Sequence, residues 1–489
     1  MKKTDINLVP DIENPTPDYY CTWQTQLFAT CDGKPAAQRR VICEKSLFDT
    51  EKPYGWAYFY EKARADLILV MDDSWDVGLD NNEDYYGSLV LSEDKFPSFT
   101  RDGKDGLKSL TDRIKSLGWK GLGGWICAQE SPAFSEGVTV EEYWAQRLRA
   151  MDEAGFSYWK VDWGKRAESI EFRRMLTDLA RILAPNLTIE HAIAKDILPY
   201  SDVFRTYDVN AIMSIPMTIE KIVDLSANTK AIGKNKGLIN CEDEAYIAAA
   251  GGFAMGIMRH PYAGDFADGR ADMSFPKVHR NLKTKMYEVI RAARFHRLAP
   301  AFGGGSYNVS ENILYDSWKF ENKEEEMEEG WFYAPMMRDY MVDDVATKYA
   351  PSAISRNIDL PHVLPDTEGR MPYCVASRNP NGVCSIVTLG RTLGRSYFIP
   401  KCDVTLKTRD ADTVGVFGEY ESLTLETELD FTRVLMQDIA ADTAFDVTEQ
   451  ISFGNGKITV PGELISEIGT SEQPEGDTSE PGVILKLIK

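Results

Sequence analysis

The chain has 489 residues, 43% of them hydrophobic and 11% aromatic, with 55 Lys plus Arg against 76 Asp plus Glu for a formal net charge of −21. That length allows roughly two to four domains, or one barrel with an appendage, around a large apolar core. The acidic balance excludes the basic footprint that nucleic acid or an anionic membrane surface demands, and fits a neutral or cationic ligand.

Residues 1–10 carry Lys2 and Lys3 with no apolar run behind them. Neither a signal peptide nor a membrane-spanning stretch is read. Eight cysteines, at 21, 31, 43, 127, 241, 374, 384 and 402, are scattered without a CxxC pair or a histidine at ligand spacing. They read as reduced thiols of a cytoplasmic protein, and neither a zinc site nor a cofactor is expected.

Residues 19–30 (YYCTWQTQLFAT) are apolar and aromatic and read as a first strand, and 54–65 as helical. The aliphatic run Asp66-Leu67-Ile68-Leu69-Val70-Met71 has the continuous character of a strand buried on both faces, as in a parallel sheet. It ends in Asp72-Asp73-Ser74-Trp75. Two carboxylates at a buried strand end are costly unless they bind something, and Trp75 adds a stacking face beside hydroxyl acceptors. The competing reading is a solvated turn.

Leu107, Leu110, Ile114 and Leu117 mark one face of a helix over 106–117. Residues 119–127 form the next strand, and the capping box Thr139-Val140-Glu141-Glu142 opens a helix to about residue 154. Tyr158-Trp159-Lys160-Val161-Asp162-Trp163-Gly164 is then a short apolar strand ending in a carboxylate. Alternation puts Lys160 and Asp162 on the same side, where the cation keeps the acid ionised. The stretch is either a nucleophile or electrostatic stabiliser on a rigid strand end, or a structural ion pair.

A helix follows over 169–183, then strands over 186–190, ending in Glu190, and over 201–207, followed by Asp208. A helix over 217–225, a strand over 237–241, an apolar segment over 248–258 and a helix over 282–295 complete the pattern. This is strand–helix alternation with acids at strand ends, the signature of a (β/α)8 barrel with its site at the C-terminal ends of the strands.

From about residue 346 the pattern alternates in the strand manner over 382–389, 403–408, 413–420, 422–428, 457–460 and 483–488, with no long helix. The expected organisation is a barrel over 1–345, with a short N-terminal extension, followed by an antiparallel β-sandwich over 346–489. The charge run 321–329 reads as a solvated loop or helix face, and 469–482 as a flexible acidic loop.

These motifs resemble the retaining α-galactosidases of glycoside hydrolase families 27 and 36 over residues 20–300. Asp72-Asp73-Ser74-Trp75 is similar to their Asp-Asp-Cys-Trp motif, and Lys160-Val161-Asp162 to the Lys-x-Asp that carries their nucleophile. Glu190 falls where family 27 places a Glu toward the sugar 2-hydroxyl, and Arg205-Thr206-Tyr207-Asp208 resembles the segment ending in their acid/base. Phe96-Pro97 and the helix before Gly118 fit the same pattern. Two departures stand out: Trp163-Gly164 replaces the disulfide cysteine after the nucleophile, and Cys241-Glu242-Asp243-Glu244 occupies the region of a usual Asp-Pro-Asp.

The resemblance implies hydrolysis of a terminal α-D-galactoside in a neutral oligosaccharide or glycoside, with Asp162 as nucleophile and Asp208 as acid/base. Asp72, Asp73, Lys160, Glu190 and Arg205 would bind substrate, with Trp75, Trp125 and Trp163 as stacking faces; core packing is the competing role for each Trp. Strand alternation sets Arg205 opposite Asp208, so Arg205 holds a sugar hydroxyl or a neighbouring acid. Related readings are another α-glycosidase, a β-L-arabinopyranosidase, a transglycosidase, a non-catalytic carbohydrate-binding barrel, or a Mg2+ enzyme using Asp72, Asp73, Asp162 and Glu190. A homo-oligomer is compatible with the sequence.

Overall fold

Eight short parallel strands close into a barrel in the computed structural model, which describes residues 1–30, 35–100, 106–206, 213–226, 237–259, 261–262, 284–321 and 341–489. They are β1 (Tyr19–Cys21), β2 (Ile68–Met71), β3 (Gly121–Ile126), β4 (Tyr158–Val161), β5 (Thr188–His191), β6 (Val203–Arg205), β7 (Leu238–Glu242) and β8 (Ala254–Ile257). Every neighbouring pair is parallel, and β1 closes the ring against β8. The strands are buried nearly throughout, which is why they read as unbroken apolar runs.

The predicted helices are present at Gly106–Ser116, Val140–Glu153, Ile170–Leu183, Ser214–Ser226 and Met286–Leu298. The capping box forms as read: the Glu142 N–H donates to Thr139 Oγ1 (3.3 Å) and the Thr139 N–H to Glu142 Oε2 (3.1 Å). Three local expectations are corrected. Residues 19–30 are a three-residue strand followed by the helix Trp23–Thr30, because the buried run Gln24–Phe28 packs equally well on a helix face. Residues 54–65 hold two 3-10 turns, Trp56–Tyr58 and Arg64–Asp66. The apolar segment 248–258 divides between the helix Ala245–Gly251 and β8, with Gly252 at φ 68° turning the chain between them.

Beyond the barrel, a nine-stranded and a five-stranded sheet stack as a sandwich. Val404, Leu406, Leu423, Leu425, Ile458 and Val460 of the smaller sheet share a core with Ile386, Val414, Val416, Met436 and Leu485 of the larger. Most pairings are antiparallel, as expected; the pairs Ala353–Arg356 with Tyr373–Arg378, Cys384–Leu389 with Thr413–Phe417, and Asp403–Arg409 with Ser422–Thr427 are parallel. Lys2–Lys3 and Tyr307–Val309 are edge strands of the larger sheet.

The other face of that sheet lies on the barrel, where Phe417 meets Phe295 (ring centroids 5.2 Å apart) and Tyr246 (4.8 Å). Residues 470–481 are also fixed rather than free, because Asp477 Oδ2 accepts the first N–H groups of the helix Met286–Leu298, from Met286 (2.9 Å) and Tyr287 (3.2 Å). Most of the charge run 321–329 lies outside the described residues. The seven described cysteines are unpaired, and no helix among the described residues is long and apolar enough to cross a membrane.

Candidate active site

Asp162 sits one residue past β4, at the C-terminal mouth of the barrel. Its own N–H continues the sheet by donating to Ile126 O (3.0 Å). Arg173, fully buried on the following helix, donates from Nη2 to Asp162 O (2.9 Å) and from Nη1 to Val161 O (3.2 Å). The strand end is therefore clamped from both sides, which fixes where the carboxylate points.

The carboxylate lies between two donors. Arg205 Nη2 is 2.7 Å from Oδ1, and the Trp125 indole N–H donates to Oδ2 (3.0 Å). Burial alone would push this carboxyl up, but the Arg205 and Lys160 charges and these contacts hold it below its ordinary value. The acid is therefore ionised, with 14% of its side chain exposed.

Lys160 does face the same side as Asp162, yet its direct partner is Asp72, with Nζ 3.0 Å from Oδ2. Cys21 donates its thiol hydrogen to the same oxygen (2.8 Å). Of the two roles read for Arg205, a sugar hydroxyl or a neighbouring acid, the described contacts are to acids: it spans Asp162 and, at 3.6 Å, Glu242. Asp73 Oδ2 accepts from Arg39 Nε (2.9 Å) and Oδ1 from Ser74 Oγ (2.6 Å). Burial first lifts the Asp73 carboxyl, to about 6, against the pull of Arg39. Each buried charge here has an opposite partner, as a low-dielectric site requires. The four acids of the Mg2+ reading are thus dispersed over separate partners: Lys160, Arg39, Arg205 and, for Glu190, neutral donors.

Several sequence expectations change. Glu190 is fully buried below the mouth, among protein donors. Its oxygens accept from Tyr158 Oη (2.9 Å), Asn240 Nδ2 (2.6 Å) and Tyr19 Oη (3.2 Å). Burial raises its carboxyl to about 7. Trp75 is also fully buried, packed on Phe156 and donating to Trp125 O (2.9 Å). Gly124 makes room for it, since a Cβ there would sit 2.8 Å from the indole nitrogen. Lys160 and Arg205, 3% and 1% exposed in their side chains, each pair with a carboxylate. Trp125 is closed off and positions Asp162.

Trp163 alone among the three proposed stacking tryptophans is open, at 37% exposed. It meets Trp125 (5.2 Å) and Tyr86 (5.4 Å), and the Arg39 guanidinium lies 5.4 Å from its ring centroid. Asp208 lies outside the described residues. Ser74, Ile193 and Asp243, each just past a strand end at the mouth, take left-handed φ of 73°, 70° and 55°. Such strain gathers where the surrounding structure fixes a site.

Sequence reading missed Arg39, Arg173 and Glu242 as site components. Arg39 comes from a helix well before the motifs, and Arg173 sits inside the helix after Asp162 with nothing in its local pattern to turn it back toward the strand end. Glu242 was visible as an acid at a predicted strand end, the same signal that found Glu190.

The sequence matches no family model and no curated protein. Solved structures similar to this chain include a GH27 β-L-arabinopyranosidase from Geobacillus stearothermophilus, at 11% identity and a TM-score of 0.43 over 97% of this chain and 96% of that one. A candidate α-galactosidase from Bacteroides fragilis NCTC 9343 matches at 10% identity and a TM-score of 0.41, over 99% and 80% of the two chains. A candidate α-N-acetylgalactosaminidase from Bacillus halodurans C-125 matches at 11% identity and a TM-score of 0.41, over 99% of each.

Proposed function

We propose that the chain is a retaining exo-glycosidase that hydrolyses terminal α-D-galactosides by double displacement, working in a reducing compartment such as the cytoplasm. The observation that carries this reading is the Asp162 carboxylate, ionised and fixed at the barrel mouth between Arg205 and Trp125. Asp162 attacks the anomeric carbon and forms a covalent glycosyl intermediate. Asp208, assigned from its sequence motif, protonates the leaving oxygen and then takes a proton from water. Retention requires the two carboxyl groups about 5–5.5 Å apart. Trp163 offers an open face for the sugar ring, and Arg39 and Asp73 a donor–acceptor corner for its hydroxyls.

The test is turnover of p-nitrophenyl glycosides: α-galactoside against β-L-arabinopyranoside, α-glucoside and α-N-acetylgalactosaminide. The α-galactoside should be preferred. Asp162→Ala should lower kcat by about 10³-fold or more, with azide restoring part of it by taking the vacated nucleophile's place. Wild-type-like turnover in Asp162→Ala would exclude the assignment. Asp208→Ala should spare a good phenolate leaving group more than a poor one.

A further inference from the structure

Below the mouth, the barrel holds a layer of polar side chains that the double displacement does not use. Tyr19 of β1, Tyr158 of β4, Glu190 of β5 and Asn240 of β7 meet there, and Glu242 at the end of β7 joins them to Arg205 of β6. All six are buried. Gly256 of β8 makes room for the layer, since a Cβ there would lie 2.5 Å from the Tyr19 ring.

The hydrogens in this layer can be counted. Tyr19 Oη takes a hydrogen from the Asn240 amide (3.0 Å) and has two carboxylate oxygens in reach among the described residues, Glu190 Oε1 (3.2 Å) and Glu242 Oε1 (3.3 Å). A phenol carries one hydrogen and cannot donate fully to both. The other Glu190 oxygen is already served, by Tyr158 Oη (2.9 Å) and Asn240 Nδ2 (2.6 Å). A proton on Glu190 Oε1 supplies the missing hydrogen. Glu190 then donates to Tyr19, Tyr19 donates to Glu242, and each close oxygen pair holds one hydrogen. The proton belongs on Glu190 because Glu242 faces Arg205 Nη1 at 3.6 Å, and a guanidinium favours the ionised form. Burial first, against the pull of Arg205 and Lys160 and with Glu242 adding to it, raises the Glu190 carboxyl to about 7, in line with that count. The Tyr19 and Tyr158 phenols are pushed up by burial and keep their hydrogens.

The layer ends at Asp162, whose Oδ1 lies 2.7 Å from Arg205 Nη2. We propose that Glu190 and Tyr19 are positioning residues for Asp162: the Glu190 proton, passed on as the Tyr19 hydrogen bond to Glu242, leaves the Arg205 guanidinium to hold Asp162. This rests on Asp162 as the reacting carboxylate. Loss of the proton turns the Tyr19 hydroxyl back to Glu190, and Glu242 then draws Arg205 toward itself. Lys160, the other cation near Glu190, is engaged by Asp72 (3.0 Å).

The Trp125 indole N–H, which donates to Asp162 Oδ2, reports this grip in the full chain with no substrate present. Its nitrogen–proton NMR resonance, assigned by its absence from Trp125→Phe, should show a titration phase centred at about 7. Glu190→Gln keeps a hydrogen where the proton sits, so it should remove that phase and hold the resonance at its low-pH position. Tyr19→Phe should cut the amplitude of the phase by at least half. Glu242→Gln, which ends the competition for Arg205, should do the same, and it decides the matter if Tyr19→Phe fails to fold. A wild-type resonance without this phase, a phase that persists in Glu190→Gln, or one that keeps more than half its amplitude in folded Tyr19→Phe or in Glu242→Gln would each overturn the proposal. A chain inert toward every glycoside yet showing these shifts would refute the glycosidase reading alone.

Discussion

Arg205 is the residue on which the chemistry at the mouth turns, because it holds Asp162 ionised and also lies against Glu242 while itself almost wholly buried. Arg205→Gln leaves burial of Asp162 opposed mainly by Lys160 and Trp125, so its pKa rises. The acid limb of kcat/KM should move to higher pH, and at a fixed pH on that limb the rate falls about tenfold each time the pKa rises by one. An unmoved limb would assign the acid limb to another group. Glu190 behaves oppositely. Burial raises its carboxyl from 4.5 to about 7, so between those values the folded chain keeps a proton that the unfolded chain has released. Its contribution to stability therefore falls as pH rises through that window, by about 3 kcal/mol at most. Urea unfolding of Glu190→Gln should show a flatter pH dependence between 4.5 and 7 than the wild type; identical slopes would remove Glu190 as the source. Asp162 and Lys160 were legible in sequence because alternation along one strand fixes their common face. Their partners were not, because Arg205 to Asp162 and Asp72 to Lys160 are contacts across the barrel that a linear pattern does not encode.

At the scale of elements, the helix Met286–Leu298 begins without a side-chain cap from its own Lys285. The acceptor arrives from Asp477, nearly two hundred residues later in the chain, and Ser479 Oγ takes the Glu288 N–H (3.1 Å). Asp477→Ala should cost about 0.5–2 kcal/mol, read as a lower denaturation midpoint with unchanged m-value. Gly164 bears on the site more directly: its φ is 141°, and a Cβ there would lie 2.7 Å from the Ala128 backbone. Gly164→Ala should displace Trp163 and Asp162 together, lowering both activity and stability. The five longer barrel helices from Gly106–Ser116 to Met286–Leu298 and β2 to β5 were legible because periodicity and caps are local, whereas the short helices Pro35–Val41, Glu44–Phe48 and Gly462–Gly469 were not. The helix Trp23–Thr30 was not, because its apolar stretch is too short for period alone to separate strand from helix. The acidic loop 469–482 was misread because its composition suits solvent, whereas its carboxylates serve a helix end that only the tertiary fold brings near.

For the whole molecule, the joint between barrel and sandwich is built on Arg291. Its guanidinium grips Asp438 through Nε (2.9 Å) and Nη2 (3.1 Å), both side chains fully buried. Arg291→Met strands a buried carboxylate and should cost about 3–5 kcal/mol. Eight of the ten tryptophans precede residue 164, so fluorescence reports mainly the barrel, while far-UV circular dichroism reports both. The two signals should unfold together in the wild type; separate transitions would show that the joint does not couple the two parts. That a barrel precedes a sandwich was legible from the change of hydrophobic period, although the strands outside the barrel already begin at Tyr307–Val309, ahead of the expected boundary at 346. The sheet membership of Lys2–Lys3 was not, since a two-residue edge strand has no pattern of its own.

The most direct test of the central claim is mass-spectrometric mapping after reaction with an activated fluorosugar that forms the glycosyl intermediate faster than water removes it. The account predicts one adduct per chain, on Asp162. Adduct on any other residue, or turnover of the reagent with inversion and no adduct, would contradict it.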